Sequence, residues 1–166
     1  MSRTARRTLV GVIGPAEASA AERRNAEALG RLVAENGWVL VSGGRDAGVM
    51  AAANRGARDA GGLTVGILPD ETGDASPDVE VVLRTGMGSA RNNVIALSAD
   101  VLVACGAGPG TTSEIALGIK AGRPVVLLGV RDIVFDYFRD LGGELVTRAE
   151  SPMEAVSMIR ERLSPA

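Results

Sequence analysis

The stretch Asp100-Val-Leu-Val-Ala-Cys-Gly-Ala-Gly-Pro-Gly-Thr-Thr-Ser-Glu114 decides the fold. Its first six residues, apolar and partly β-branched after Asp100, have the length of a buried strand. Gly106-Ala-Gly-Pro-Gly110 ends that run with a turn, and the residues from Thr111 to Ala121 read as a helix closed by Gly122. Pro124 to Leu128 then supplies another short apolar run. Strand, glycine turn, helix and strand in this order make a βαβ unit, which requires two parallel strands.

The same alternation extends outward on both sides. Leu9 to Ile13 reads as a first strand stopped by Gly14-Pro15, and Ser19-Ala-Ala-Glu22 is a capping box opening a helix whose apolar stripe is Ala26, Leu29 and Val33. Trp38 to Val41 is a second strand, and an alanine-rich helix follows from about Ala47 to Ala60, its small residues suited to close packing. Leu63 to Leu68 gives a third strand, Pro69 to Asp78 a long loop, Val79 to Leu83 a fourth strand and Ser89 to Ser98 a helix. After Leu128 the pattern is less regular, with a C-terminal strand and helix assigned to residues 130–166 and the helix opening at Ser151-Pro152-Met153-Glu154. The expectation is an α/β class, one Rossmann-like domain over residues 1–166 with its core at 9–129. Its sheet is mostly parallel, with helices on both faces.

Composition narrows the chemistry. The 166 residues are 46% hydrophobic and 23% charged, as in ordinary globular domains, and the formal net charge is −2. The 18 basic residues include one lysine, Lys120, and no excess of positive charge suits a nucleic-acid partner. The basic stretch Met1–Thr8 and the short apolar run behind it are too brief for a signal h-region or a bilayer span, so no membrane association is expected. A single cysteine, Cys105, fits a reducing compartment, and a cytoplasmic location is expected. The chain has no histidine. That excludes Ser-His-Asp and Cys-His nucleophilic machinery and His-ligated zinc, leaving carboxylates, arginine and backbone amides.

Three strand-to-helix junctions are rich in glycine: 42–48, 85–92 and 106–114. In a parallel sheet such junctions fall on the carboxyl edge, where ligands bind. Free amides at a helix start, the positive end of its dipole and glycines that let the backbone close in all favour a phosphate. Thr111, Thr112 and Ser113 add hydroxyls there. The candidate phosphate- and ligand-contacting residues are Gly14, Gly43, Gly44, Arg45, Gly48, Met50, Arg91, Asn92, Gly108, Gly110, Thr111 and Thr112.

Arg91 stands in the first turn of its helix, against the dipole, which suggests a bound anion or a salt bridge to Asp100 or another carboxylate. Arg45 is either a phosphate ligand or a solvated side chain. Thr111-x-x-Glu114 reads most simply as a capping box, with Glu114 bonding back to the threonine amide; the alternative is a functional carboxylate. Cys105 and Trp38 read as core. Asp70, Glu71, Asp74 and Asp78 read as a solvated loop rather than a metal site. A Gly-x4-Gly-Lys-Ser/Thr loop is lacking, which excludes a P-loop NTPase, and the first two strand ends lack the dinucleotide fingerprint of NAD enzymes.

With Ser42-Gly-Gly-Arg-Asp-Ala-Gly-Val-Met50, Thr85-Gly-Met-Gly-Ser-Ala-Arg-Asn92 and Gly106-Ala-Gly-Pro-Gly-Thr-Thr-Ser-Glu114 together, the chain resembles the molybdenum cofactor carrier proteins. More distantly it is similar to the Lonely Guy-type cytokinin nucleoside monophosphate phosphoribohydrolases. The second resemblance implies a catalytic pair at Arg91 and Glu114. Gly106 stands where the hydrolase motif has proline, Ala107 where it has its first glycine, and Arg45 where an earlier triple glycine ends, so the form is more similar to the carriers. The resemblance implies a phosphate-bearing small-molecule partner, either a pterin phosphate or a purine nucleoside monophosphate. It further implies a homo-oligomer, dimer or tetramer, with no required cofactor and the molybdenum cofactor as possible cargo.

Overall fold

In the computed structural model, which describes residues 6–163, seven parallel strands form one sheet in the order β4-β3-β2-β1-β5-β6-β7. Most of the basic stretch 1–8 therefore lies outside the described residues. The strands are β1 Leu9–Ile13, β2 Val39–Ser42, β3 Thr64–Leu68, β4 Val81–Arg84, β5 Val101–Cys105, β6 Val125–Leu128 and β7 Val146–Ala149. The helices are α1 Ala20–Glu35, α2 Gly48–Asp59, α3 Arg91–Ser98, α4 Pro109–Lys120, α5 Asp132–Gly142 and α6 Pro152–Leu163. The chain builds outward from β1 to β4, then returns to lay β5 beside β1, with Val10 opposite Val101 and Ile13 opposite Ala104. The sheet's winding reverses between those two strands, and the parallel pairing is made by helical crossovers at every step except β3 to β4, where the loop 69–80 makes the crossing.

Two apolar layers cover the sheet. One joins Val10, Val12, Val101 and Val103 to Leu29 and Val33 of α1, Ala52 and Ala53 of α2 and Val156 and Ile159 of α6. The other joins Ile13, Leu102 and Leu127 to Ile95 of α3, Ile115 of α4 and Phe138 of α5. Small residues let α1 and α2 touch backbone to backbone. A Cβ at Gly30 would lie 2.1 Å from the Ala53 carbonyl oxygen, and one at Gly56 1.9 Å from that of Glu27. Ser19 and Glu22 form the expected capping box of α1.

Several boundaries differ from the sequence reading. The fourth strand spans Val81–Arg84 rather than residues 79–83, because Val79 and Glu80 are held by Ser76 and Thr64 before the ladder begins. Residues 88–90 form a 3-10 turn, so α3 starts at Arg91 itself. The irregular-looking stretch after Leu128 contains the 11-residue helix α5 and strand β7. Its helical period is hard to read because Ile133, Tyr137 and Leu141 are apolar on the solvent side. Trp38 precedes β2 and is only partly buried against the core, whereas Cys105 is fully buried.

Candidate functional site

At the point where the winding reverses, a cleft of about 550 Å³ opens at the carboxyl ends of the strands. Four segments and Glu22 of α1 wall it. Gly14 to Glu17 leave β1, Arg45 and Met50 lie between β2 and the first turn of α2, Arg91 and Asn92 begin α3, and Ala107 to Thr111 with Glu114 begin α4. Glycine 108 is the N-cap of α4 and Pro109 occupies its first turn, with no side chain bonded to the helix start. The amides of Gly110 and Thr111 are thus left without a capping partner at the positive end of the helix.

Helix α4 begins two residues earlier than the sequence suggested, and this overturns the capping-box reading of Glu114. Thr111 is inside the helix, the N-cap role belongs to Gly108, and the Thr112 amide donates to the Gly108 carbonyl. Glu114 instead projects into the cleft wall, 8% exposed. Burial pushes its carboxyl up to about 7, and the nearby charge of Arg91 opposes that rise.

Arg91 is 9% exposed. Its Nη1 donates to the carbonyls of Gly43 (2.8 Å) and Ile67 (2.6 Å), while Nε is buried without a partner. Burial lowers its proton affinity, and the charge of Glu114 partly restores it. The bridge to Asp100 that the sequence allowed does not form: Asp100 pairs with Arg6 and accepts from the Leu9 amide. A cation is therefore fixed at the cleft floor by carbonyl groups, beside a carboxyl that is itself poised to be neutral.

Asn92 Nδ2 donates to Ser113 Oγ (2.8 Å), and Ser113 Oγ donates to the Gly110 carbonyl (2.7 Å), tying the start of α3 to the first turn of α4. Arg45 at the rim pairs with Asp70 at 2.8 Å, both side chains about half exposed. Beyond that pair lies a smaller cavity of about 290 Å³ shared by Arg45, Asp70, Ser89 and Arg91.

Of the residues singled out in the sequence, Gly14, Arg45, Met50, Arg91, Asn92, Gly108, Gly110, Thr111 and Glu114 line the one cleft. Gly43, Gly44 and Gly48 do not. Gly43 sits behind Arg91, the Gly44 amide donates to Ser42 Oγ, and Gly48 opens α2 under the Pro15 carbonyl. Thr112 lines a separate cavity of about 330 Å³ on the other side of the turn, with Glu22, Gly106 and Arg131. Pro15, Ala16, Glu17 and Glu22 were missed as cleft residues. Glu22 carried a visible signal, its capping box, but that signal explains only half of its position. The acidic loop behaves as a loop, and among the described residues no group of His, Cys, Asp and Glu is arranged to hold a metal ion.

The turn Gly106–Gly110 has a conformation of its own. Gly106 has φ +83°, and the Glu22 carboxylate fills the space where its Cβ would stand, 2.0 Å away. Proline, locked near −65°, cannot adopt that backbone.

Fold and cleft together define a Rossmann-like α/β protein with its principal cleft at the switch point of the sheet. The chain belongs to the SLOG cluster4 family, whose model matches residues 7–156. It is similar to the molybdenum cofactor binding protein from the phototrophic bacterium Rippkaea orientalis, with 42% identity, 97% of this chain and 100% of that one covered, and a TM-score of 0.93. It is equally similar to the molybdenum cofactor carrier protein from Chlamydomonas reinhardtii, with 42% identity, 96% and 100% covered, and a TM-score of 0.93. An uncharacterized protein of Archaeoglobus fulgidus is 42% identical over 129 residues, 74% of this chain and 85% of its own length. DNA processing protein A from Helicobacter pylori, at 20% identity and a TM-score of 0.73, shares the fold alone. Among the described residues no helix is long and apolar enough to cross a membrane.

Proposed function

We propose that the cleft binds a phosphate-bearing pterin, the molybdenum cofactor, and that the protein carries or stores it without turnover. The observation that carries this reading is the cleft itself, set at the uncapped start of α4 in a chain that aligns over nearly its whole length with molybdenum cofactor carriers. Its volume suits a single small molecule. In this reading the Gly110 and Thr111 amides and the Thr111 hydroxyl take the terminal phosphate, with Asn92 and Arg45 completing its shell. Arg91 supplies fixed positive charge from the floor, and Glu114 in its neutral form offers a hydrogen-bond donor. Gly14, Met50 and Gly108 give the ligand close contact. The protein needs no resident cofactor, since the metal arrives with the cargo. A net charge of −2 favours a small-molecule partner over nucleic acid, and the free thiol of Cys105 fits the cytoplasm.

The test is retention. Molybdenum cofactor released from a molybdoenzyme under anaerobic conditions is mixed with the protein, gel-filtered, and measured as its fluorescent oxidised pterin. Stoichiometric co-elution with slowed decay is expected; free elution with unchanged decay ends the carrier reading.

A second reading is favoured by one feature, the buried pair Arg91 and Glu114. A carboxyl near neutrality beside a fixed cation suits hydrolysis of a nucleoside 5′-monophosphate, in which water adds to the sugar carbon as the base leaves with a proton. The products are free base and ribose 5-phosphate. The positive φ of Gly106 speaks against it, because the hydrolase motif has proline there. Incubation with AMP separates the readings: adenine released by the wild type and not by Glu114→Gln supports the hydrolase.

A further inference from the structure

The smaller cavity of about 290 Å³ beyond the rim pair has a charge balance that a single phosphate on α4 does not explain. Its ionisable lining consists of two guanidinium groups, Arg45 and Arg91, and one carboxylate, Asp70. Asp70 is held by Arg45 at 2.8 Å, and Arg91 forms no ion pair with another described residue. Burial lowers the proton affinity of Arg91 and Glu114 opposes that fall, while the charge of Arg45 lowers it further by more than Asp70 restores. Two cations that repel each other across one cavity are both stabilised by an anion placed between them.

The donors are in place for one. Arg91 is nine-tenths buried, and only its Nη1 is committed, to the Gly43 and Ile67 carbonyls. Its Nε and Nη2 bond no described residue. The Ser89 hydroxyl, in the turn that leads into α3, bonds none either, and α3 itself starts without a side-chain cap. Gly88, at φ +54°, and Gly110 also line the cavity, and a Cβ on either would meet nothing within 4 Å. Arg45, Arg91, Asn92 and Gly110 line this cavity and the larger cleft alike, so one small molecule can reach into both.

We propose that the smaller cavity is a second oxyanion subsite, so that the ligand carries two anionic groups, one on the start of α4 and one between Arg45, Arg91 and Ser89. The inference rests on the reading of the α4 start as a phosphate site and adds a second anchor to it.

Calorimetric titration of the full chain with alkane-α,ω-diyl bisphosphates of three to six carbons, each against the alkyl monophosphate of the same length, tests it. The best-fitting bisphosphate is expected to bind about tenfold or more tighter than its monophosphate, because its second group docks intramolecularly. Ser89→Leu fills the subsite and Ser89→Asp adds an opposing charge. Either should remove that advantage while the monophosphate still binds. Ser89 is exposed, so unchanged circular dichroism verifies folding, and one folded variant suffices. Gly108→Asp, whose carboxylate takes the α4 amides itself, should remove the advantage equally. A monophosphate that binds with no bisphosphate tighter overturns the second subsite and leaves the α4 site standing. Folded Ser89 variants that keep the full advantage overturn it as well. If neither class of compound binds, the α4 reading fails and the inference falls with it.

Discussion

The Arg91 Nη1 hydrogen bond to the Gly43 carbonyl, 2.8 Å long, ties the first turn of α3 to the loop leaving β2 across 48 residues of sequence. The same nitrogen also bonds the Ile67 carbonyl at the end of β3. One guanidinium therefore fastens three segments of the carboxyl edge. Removing it leaves two buried carbonyls unpaired, each costing about 1–3 kcal/mol. Arg91→Met is expected to lose roughly 2–4 kcal/mol in urea unfolding, and to abolish inorganic phosphate binding under conditions where the variant is still folded. A loss below about 0.5 kcal/mol would show that the anchor is not needed.

Gly43 gives the same joint from the other side. A Cβ there would lie 2.5 Å from Arg91 Nη1 and 2.6 Å from Met50 Sδ. Both contacts are side-chain ends, so the backbone survives, but Arg91 must leave its carbonyls or the loop must shift. Gly43→Ala is expected to destabilise by about 1–3 kcal/mol and to weaken phosphate binding without unfolding the sheet. Calorimetric titration with inorganic phosphate checks it, and unchanged affinity would refute the placement of Arg91 as a binding element.

Glu114 makes stability depend on pH in a fixed direction. Its carboxyl rises from 4.5 to about 7 on folding, so the native chain holds this proton more tightly than the unfolded one. The stabilisation is complete below about 4.5 and is lost as pH climbs through about 7, on the order of 3 kcal/mol at full extent. Glu114→Gln keeps a neutral group of the same shape. It should flatten the pH slope of stability between those values and be more stable than the wild type at alkaline pH. Parallel slopes for the two proteins would show that Glu114 titrates normally.

The alternation of strands and helices was plain in the sequence because it rests on local signals: Ser19 and Glu22 as a cap, Gly122 as a stop, Val101 to Cys105 as a buried run. The three glycine-rich junctions were placed on the correct edge, since topology alone puts them there. Two kinds of information were not local. Glu114 reads as a cap only if α4 starts at Thr111; it starts at Pro109, and a two-residue shift moves a side chain by about half a helical turn. Helix α5 was hidden because its exposed face is apolar, which blurs the amphipathic period. Glu22 and Asp70 belong to the cleft region through contacts made across the fold, which neither spacing nor propensity encodes.

Asp70 is the residue whose removal should improve the site. Its Oδ2 holds Arg45 at 2.8 Å on the rim, in line with a second cavity where Arg45 and Arg91 also meet. Both side chains are about half exposed, so the pair contributes only about 0–1 kcal/mol to stability. For an incoming anion, however, the carboxylate is a competitor that occupies the guanidinium and adds like charge. Asp70→Asn removes that charge and keeps the side chain's shape. It is expected to leave the melting temperature within about 2 °C of the wild type, since a surface change of this size barely moves folding. It should also tighten inorganic phosphate binding several-fold, with a steeper loss of affinity as salt rises, because more of the attraction then comes from Arg45. Arg45→Ala should do the reverse and make the Asp70 substitution silent when the two are combined, as coupled neighbours do in a double-mutant cycle. If Asp70→Asn weakens binding instead, the aspartate is orienting Arg45 for the ligand rather than withholding it, and the rim pair is part of the binding surface.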